Sequence, residues 1–345
     1  MSSRERTRAS VTVLIPTRNR AQLLRGALDS VLAQTFTDFS VLVSDNASDD
    51  DTRAMVESIE DPRVRYSRSE RDVGLVGNFN RCLDQADGDY LLVLCDDDQL
   101  RPDHLATTVP VLDENPSVGV VYTAVDKLGA HGELVEPAAS WNGLDTDLIE
   151  PSIEFIRRSM STYHSRLALS SSLIRASAIP ADGFREIDGV VCDLGLWLRV
   201  GLDHDIAFVA QPLAGLRVHE GAASASAERV HGGGYVQGAD VIERTRDMKL
   251  ELIDTHQGEL VDPRSLRAEA RRSTRRQLLV RVWELTTPER PLGGTVRLLG
   301  ESARIEPRLL LETGTWRLLA GAMLPARVLG RLERRGAGLR DDTSE

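Results

Sequence analysis

Short apolar runs alternate with amphipathic stretches through the first third of the chain. Residues 11–15 (VTVLI), 40–44 (SVLVS), 63–67 and 89–95 (DYLLVLC) predict strands. Between them, Leu23, Leu24, Ala27, Leu28, Val31 and Leu32 recur at helical spacing within residues 20–34, and residues 52–59 and 76–86 predict two further helices. Pro16 ends the first strand, and Pro102 opens another helix. Apolar strands alternating with helices describe an α/β fold with a mostly parallel central sheet covered on both faces. In such sheets ligands bind beyond the carboxyl ends of the strands. The polar segments PTRN, SDNASDD and CDDD all fall there.

Farther along, residues 117–125 predict a strand, 126–165 are polar and read as loop, and 167–175 read as extended. Residues 193–202 predict a short helix with Leu194, Trp197, Leu198 and Gly201 on one side, Trp197 being a core residue. Residues 205–219 read as two short strands, and 221–234, rich in Ala, Ser and Gly, as a flexible loop. Beyond residue 238 the pattern is helical. This divides the chain into an N-terminal tail (1–10), two halves of one α/β domain (11–125 and 126–220), a loop and helical linker (221–262) and a helical C-terminal extension (263–345).

Composition narrows the classes. The chain has 345 residues, 41% hydrophobic and 28% charged, which is globular, and its net charge of −11 excludes broad nucleic-acid binding. That charge is uneven. Residues 263–345 hold 17 Arg, no Lys and 10 acids, a net of +7, so residues 1–262 carry −11 − 7 = −18. The three cysteines, Cys82, Cys95 and Cys192, have no metal-ligand spacing and form no disulfide framework, which fits a reducing cytoplasm. No run reaches the roughly 18 apolar residues of a membrane span, so a soluble or membrane-surface protein is expected.

Three strand-end motifs carry the candidate chemistry. In CDDD, residues 95–98, three adjacent carboxylates follow a buried strand. They read either as a solvated turn with a helix cap or as a site for a hard divalent cation, which tolerates clustered anions. Mg²⁺ takes one or two carboxylates and completes its shell with phosphate oxygens, so the cluster suits a metal–diphosphate site. PTRNR, residues 16–20, is a βα loop, or an anion site where Arg18 and Arg20 flank a helix N-terminus. In VSDNASDDDT, residues 43–52, Asp45 starts an Asx turn or accepts hydrogen bonds from a nucleobase. The glycines of GLVG are three apart and make no dinucleotide fingerprint.

Taken together, VLIPTRNR, VLVSDNASDDDT and VGNFNRCLDQADGDYLLVLCDDDQLRPDHL, in this order, resemble the nucleotide-binding half of a family 2 glycosyltransferase with the GT-A fold, a Rossmann-like α/β architecture. GFREIDGVVCDLGLWLRVG (183–201) is similar to the family's stretch around its general base, and PLAGLRVHEGAAS (212–224) to its Arg-x-His strand. The resemblance covers about 215 residues. It implies inverting transfer of a sugar from a UDP-, GDP- or dTDP-linked donor to a hydroxyl of a glycan or lipid-linked acceptor, with Mg²⁺ or Mn²⁺ as cofactor, in surface polysaccharide or glycoconjugate synthesis. Residue by residue it implies donor contacts at Pro16, Thr17, Asn19, Arg20, Asp45, Asn78 and Asp96. It implies metal ligation by Asp97, Asp98 and His219, and general-base catalysis by Asp193. Arg217 would contact a phosphate or a loop acid.

Two departures stand out. Cys95 replaces the first acid of the Asp-x-Asp motif, so that Asp96 takes over the ribose, and Cys192 replaces the Glu of the usual Glu-Asp pair. Asp193 also reads as a simple helix N-cap. Two other classes compete: a sugar nucleotidyltransferase, against which IPTRNR lacks the expected glycines, and an inactive glycan- or nucleotide-binding module. The Arg- and Leu-rich segments of 263–345 read as helices packed on the domain or as a peripheral attachment to the inner face of an anionic membrane.

Overall fold

A computed structural model of the chain describes residues 10–139, 144–162, 167–218, 227–229, 235–286 and 292–323. Two compact units divide it: Met1–Ala225 with Glu251–Leu266, and Ser226–Leu250 with Arg267–Glu345. In the first unit, β1 (Val11–Thr17) is buried at all seven positions, as a strand enclosed on both faces must be. α1 (Ala21–Leu32) follows, burying Leu24, Ala27, Leu28 and Val31 at the predicted helical spacing. Next come β2 (Phe39–Asp45), α2 (Thr52–Glu57), the half-exposed edge strand β3 (Val64–Arg68), α3 (Gly74–Asp84) and β4 (Tyr90–Val93). β3, β2, β1 and β4 lie side by side in parallel.

β1 continues through Pro16 to Thr17 rather than ending at Pro16. Pro16 pairs only with Ser44 of β2, because β4 has already stopped at Val93, opposite Leu14. A residue without an N–H is tolerated where one neighbour has left the ladder.

Beyond β4 the sheet is mixed. β5 (Gln99–Leu100), α4 (His104–Glu114) and β6 (Val118–Leu128) come next. The segment 126–165, expected as loop, instead holds β7 (Leu134–Ala139), β8 (Leu148–Glu150) and α5 (Ser152–Ser161). Their apolar positions are too few and too spaced to signal elements by themselves. α5 buries Phe155, Ile156 and Met160, while β7 pairs with β6 and β8 with the long strand over residues 205–217. β9 (Ser172–Arg175) then inserts between β4 and β6, antiparallel to both. α6 (Cys192–Asp203) leads to β10 (Asp205–Arg217), which is one long strand. The expected break appears only as register shifts around Pro212. Trp197 of α6 is fully buried, as its core reading required.

The second unit begins with the short β11 (Ala227–Arg229) and β12 (Tyr235–Gln237), within the stretch read as flexible loop. α7 (Ala239–Thr255) and α8 (Pro263–Thr286) run across the boundary between the units, and α9 (Leu292–Ile305) and α10 (Thr313–Met323) complete the second. Ala270, Leu278 and Val282 of α8 are buried. Its arginines are not simply solvated: Arg271 pairs with Glu306 at 3.0 Å and Arg275 with Glu312 at 2.6 Å.

Candidate active site

The register of the parallel strands builds the site. Leu14 of β1 lies opposite Val93 of β4, and Thr17 opposite Asp45 of β2. Counting three residues on from the first pair brings Thr17 level with Asp96, and the Thr17 hydroxyl donates to Asp96 Oδ2 at 2.7 Å. Arg20, just before α1, donates from Nη1 to Asp96 Oδ1 at 3.0 Å and to Asp97 Oδ2 at 3.1 Å. The first βα loop and the acid triplet are thereby one unit.

Asp98 is held from farther away in the sequence. The Ser170 hydroxyl, in the 3-10 turn before β9, donates to Asp98 Oδ2 at 2.5 Å and accepts from the Cys95 N–H at 3.1 Å. The backbone N–H of Arg217 donates to Asp98 Oδ1 at 2.9 Å, because β10 pairs with β5 immediately after the triplet. The Arg217 guanidinium donates to the carbonyls of Asp97, Gly129 and Ala130, so it braces the acid loop through backbone oxygens rather than through a carboxylate.

Asp96, Asp97 and Asp98 are all buried, so the solvated-turn reading fails. Burial raises the Asp96 carboxyl above the ordinary range despite Arg20 and Thr17, and burial together with Asp97 raises Asp98. Burial and the neighbouring aspartates push the Cys95 thiol far up, so it stays protonated. Ligand atoms of Cys95, Asp97 and Asp98 lie within 4.8 Å of one another. A protonated thiol is a poor donor to a hard cation, so in this cluster Asp97 and Asp98 fit a divalent ion and Cys95 does not.

The remaining candidates separate. Asn19 adopts a left-handed φ of 54°, a conformation asparagine tolerates. Its N–H donates to Ser48 Oγ at 2.9 Å and its Oδ1 accepts from the Asp49 N–H at 2.7 Å, so it ties the loops after β1 and β2 together. The Ala21 N–H at the start of α1 is taken by Asp50 Oδ2 at 3.1 Å. Asp45 is fully buried: Oδ1 accepts from the Ser48 N–H at 2.9 Å, and Oδ2 is bonded by the Tyr66 hydroxyl. Asn78 is buried in the seam between α3 and β2, exchanging two hydrogen bonds with Ser44. Pro16 is buried in β1. His219 lies outside the described residues.

Asp193 occupies the second position of α6, not the N-cap, which is Val191. The chain reaches it through Gly189 at φ 57°, ψ −128°, a backbone conformation only glycine adopts readily. Its Oδ1 accepts from the Leu194 N–H at 2.7 Å. Burial raises its carboxyl to about 6. Such a group is a carboxylate at neutral pH yet basic enough to take a proton. Ser170, Ser48 and Tyr66 were not singled out in the sequence. The only hint was the polar SSS, residues 170–172, inside an otherwise apolar run.

Residues 12–167 match the family model described as Glycosyl transferase family 2. The GalNAc(5)-diNAcBac-PP-undecaprenol beta-1,3-glucosyltransferase of Campylobacter jejuni subsp. jejuni serotype O:2 is 37% identical over 107 residues, 30% of this chain. The chain covers 35% of the length of that relative. A crystal structure of S. aureus TarS 1-349 in complex with UDP-GlcNAc superposes with a TM-score of 0.61 at 18% identity, covering 91% of this chain and 84% of that TarS 1-349 chain. The mannosyltransferase PcManGT from Pyrobaculum calidifontis, in complex with GDP-Man and Mn²⁺, gives 0.51 at 20% identity over 92% of this chain and 86% of its own. At these identities the structural likeness establishes the fold. Residues 12–167 thus carry the match to glycosyl transferase family 2, and the chain shares the GT-A fold of the solved glycosyltransferases.

Proposed function

We propose that the protein is an inverting glycosyltransferase that moves a sugar from a nucleoside diphosphate donor to an acceptor hydroxyl. The observation that carries this reading is the buried triplet Asp96–Asp98, coupled to the β1 loop by Thr17 and Arg20 at the carboxyl end of the sheet. Residues 11–125 bind the donor and 126–220 the acceptor. Thr17 and Asp96 face the ribose side, while Asn19, Asp45 and Asn78 shape the loops around the nucleotide. Pro16 sets the exit of β1.

Asp97 and Asp98 would hold Mg²⁺ or Mn²⁺, with His219 as a further ligand; a bound cation there offsets the negative charge that develops on the departing diphosphate. Arg20 supplies a second positive charge to the same oxygens. Asp193 accepts the proton of the attacking hydroxyl, and its raised basicity suits that task. The UDP-GlcNAc and the GDP-Man with Mn²⁺ in the two solved structures support a nucleotide-sugar donor and a divalent ion. The lipid-diphosphate acceptor named for the Campylobacter protein supports a glycan or lipid-linked acceptor, in glycoconjugate or surface polysaccharide assembly on the cytoplasmic side. Among the described residues no helix is long and apolar enough to cross a membrane. We place any membrane contact on the Arg-rich residues 263–345, at the inner leaflet.

The test is release of nucleoside diphosphate from a panel of UDP-, GDP- and dTDP-sugars, with Mn²⁺, Mg²⁺ or chelator. Metal-dependent release from one donor, abolished by Asp97→Asn, is expected. Tight donor binding without turnover by any acceptor extract would favour the inactive binding module instead.

A further inference from the structure

The three carboxylates of the triplet are held in different ways. Asp96 takes a bond from the short, buried Thr17, and Asp98 is fixed by the buried Ser170 and a backbone N–H. These anchors are part of the scaffold and stay where the strands put them. The Asp97 carboxylate instead takes a bond from Arg20, a long side chain that is 28% exposed and so has a path toward solvent. The same Nη1 also bonds Asp96. Asp97 is at the same time a member of the cluster Cys95, Asp97, Asp98, whose ligand atoms lie within 4.8 Å of one another. A divalent cation in that cluster and the guanidinium on Asp97 Oδ2 would sit as close like charges, which repel strongly in a buried site.

We propose that Arg20 is the resident counter-cation of the acid triplet, that it competes with a divalent cation for Asp97, and that cation binding releases its guanidinium toward the donor diphosphate. This rests on the metal reading above and adds an order of events to it. In the empty state Arg20 offsets the charge of Asp96 and Asp97, so the cation alone binds weakly. When donor and cation arrive together, the guanidinium exchanges a carboxylate for a diphosphate oxygen and loses no ion pair. The cation is then retained mainly when a donor is present, which couples the two ligands through one side chain.

Mn²⁺ binding to the full chain without nucleotide, followed by the electron paramagnetic resonance signal of free Mn²⁺, tests this without any turnover. Wild type, Arg20→Gln, Arg20→Lys and Asp97→Asn are compared, with circular dichroism melts to verify folding. Arg20→Gln is expected to bind Mn²⁺ roughly tenfold tighter than wild type. Arg20→Lys, which keeps a charge, should stay near wild type, and Asp97→Asn should bind more weakly. In saturating Mn²⁺, pyrophosphate should bind Arg20→Gln more weakly than wild type. An Arg20→Gln affinity for Mn²⁺ equal to or below wild type overturns the proposal, as does tightening that survives in the Arg20→Gln, Asp97→Asn double variant. If neither wild type nor Arg20→Gln binds Mn²⁺, the metal reading itself falls and the proposal with it.

Discussion

Asp193 offers the sharpest test of the chemistry, because its environment sets a measurable number. Burial raises its carboxyl to about 6, against an ordinary 3.8. If Asp193 is the general base, the rate follows its ionised fraction, about 0.9 at pH 7 and about 0.1 at pH 5. The expected fall in kcat/KM between those pH values is therefore about tenfold, whereas an ordinary aspartate would change it by less than about a tenth. The assay is a kcat/KM profile from pH 4.5 to 8 at saturating metal. The sign for stability runs the opposite way. The folded state holds the proton up to about pH 6 and the unfolded chain only to about 4, so stability falls as pH rises through that window. Asp193→Asn removes a partly buried charge and should stabilise the fold at pH 7.5 by about 1 kcal/mol, while lowering kcat by about a hundredfold or more. A flat profile between pH 5 and 7, or an Asp193→Asn enzyme of near wild-type rate, would refute the assignment.

Other consequences follow from the packing. Ser170→Ala leaves the Asp98 carboxylate and the Cys95 N–H without their shared partner, and should cost about 2 kcal/mol in urea unfolding, with weaker Mn²⁺ binding in the same preparation. His104 is fully buried, its Nδ1 has no partner among the described residues, and its pKa is pushed down to about 4. The unfolded chain therefore binds that proton first. Stability should fall as pH drops from 6.5 toward 4, by about 2 kcal/mol at pH 5, and urea midpoints of His104→Gln should lack this dependence. Gly88 has no room for a side chain, since a Cβ there would meet Thr12 N at 2.6 Å and Tyr90 O at 2.8 Å. Gly88→Ala should lower stability by about 2–3 kcal/mol, read as a lower melting temperature.

The first half of the fold was legible because each of its elements signals itself. β1, β2 and β4 are continuous apolar runs, and α1 carries its buried face at i, i+3, i+4 and i+7, patterns that local sequence alone produces. The segment holding β7, β8 and α5 was not legible. Its mixed residues take on structure only when the existing sheet and α6 offer a surface to pack on.

For the site, sequence by itself determined that carboxylates and a basic loop gather at the carboxyl ends of parallel strands, because strand order and direction follow from the alternation of elements. It also marked Asp97 and Asp193. Only the tertiary structure decided how those groups are held. Ser170 and the Arg217 N–H reach Asp98 across 72 and 119 residues of chain, through antiparallel pairings of β9 and β10 that no local pattern specifies. The depth of burial was decided there as well. It raises the Asp193 carboxyl and keeps the Cys95 thiol neutral, because desolvation depends on what packs around a group and not on its neighbours in sequence.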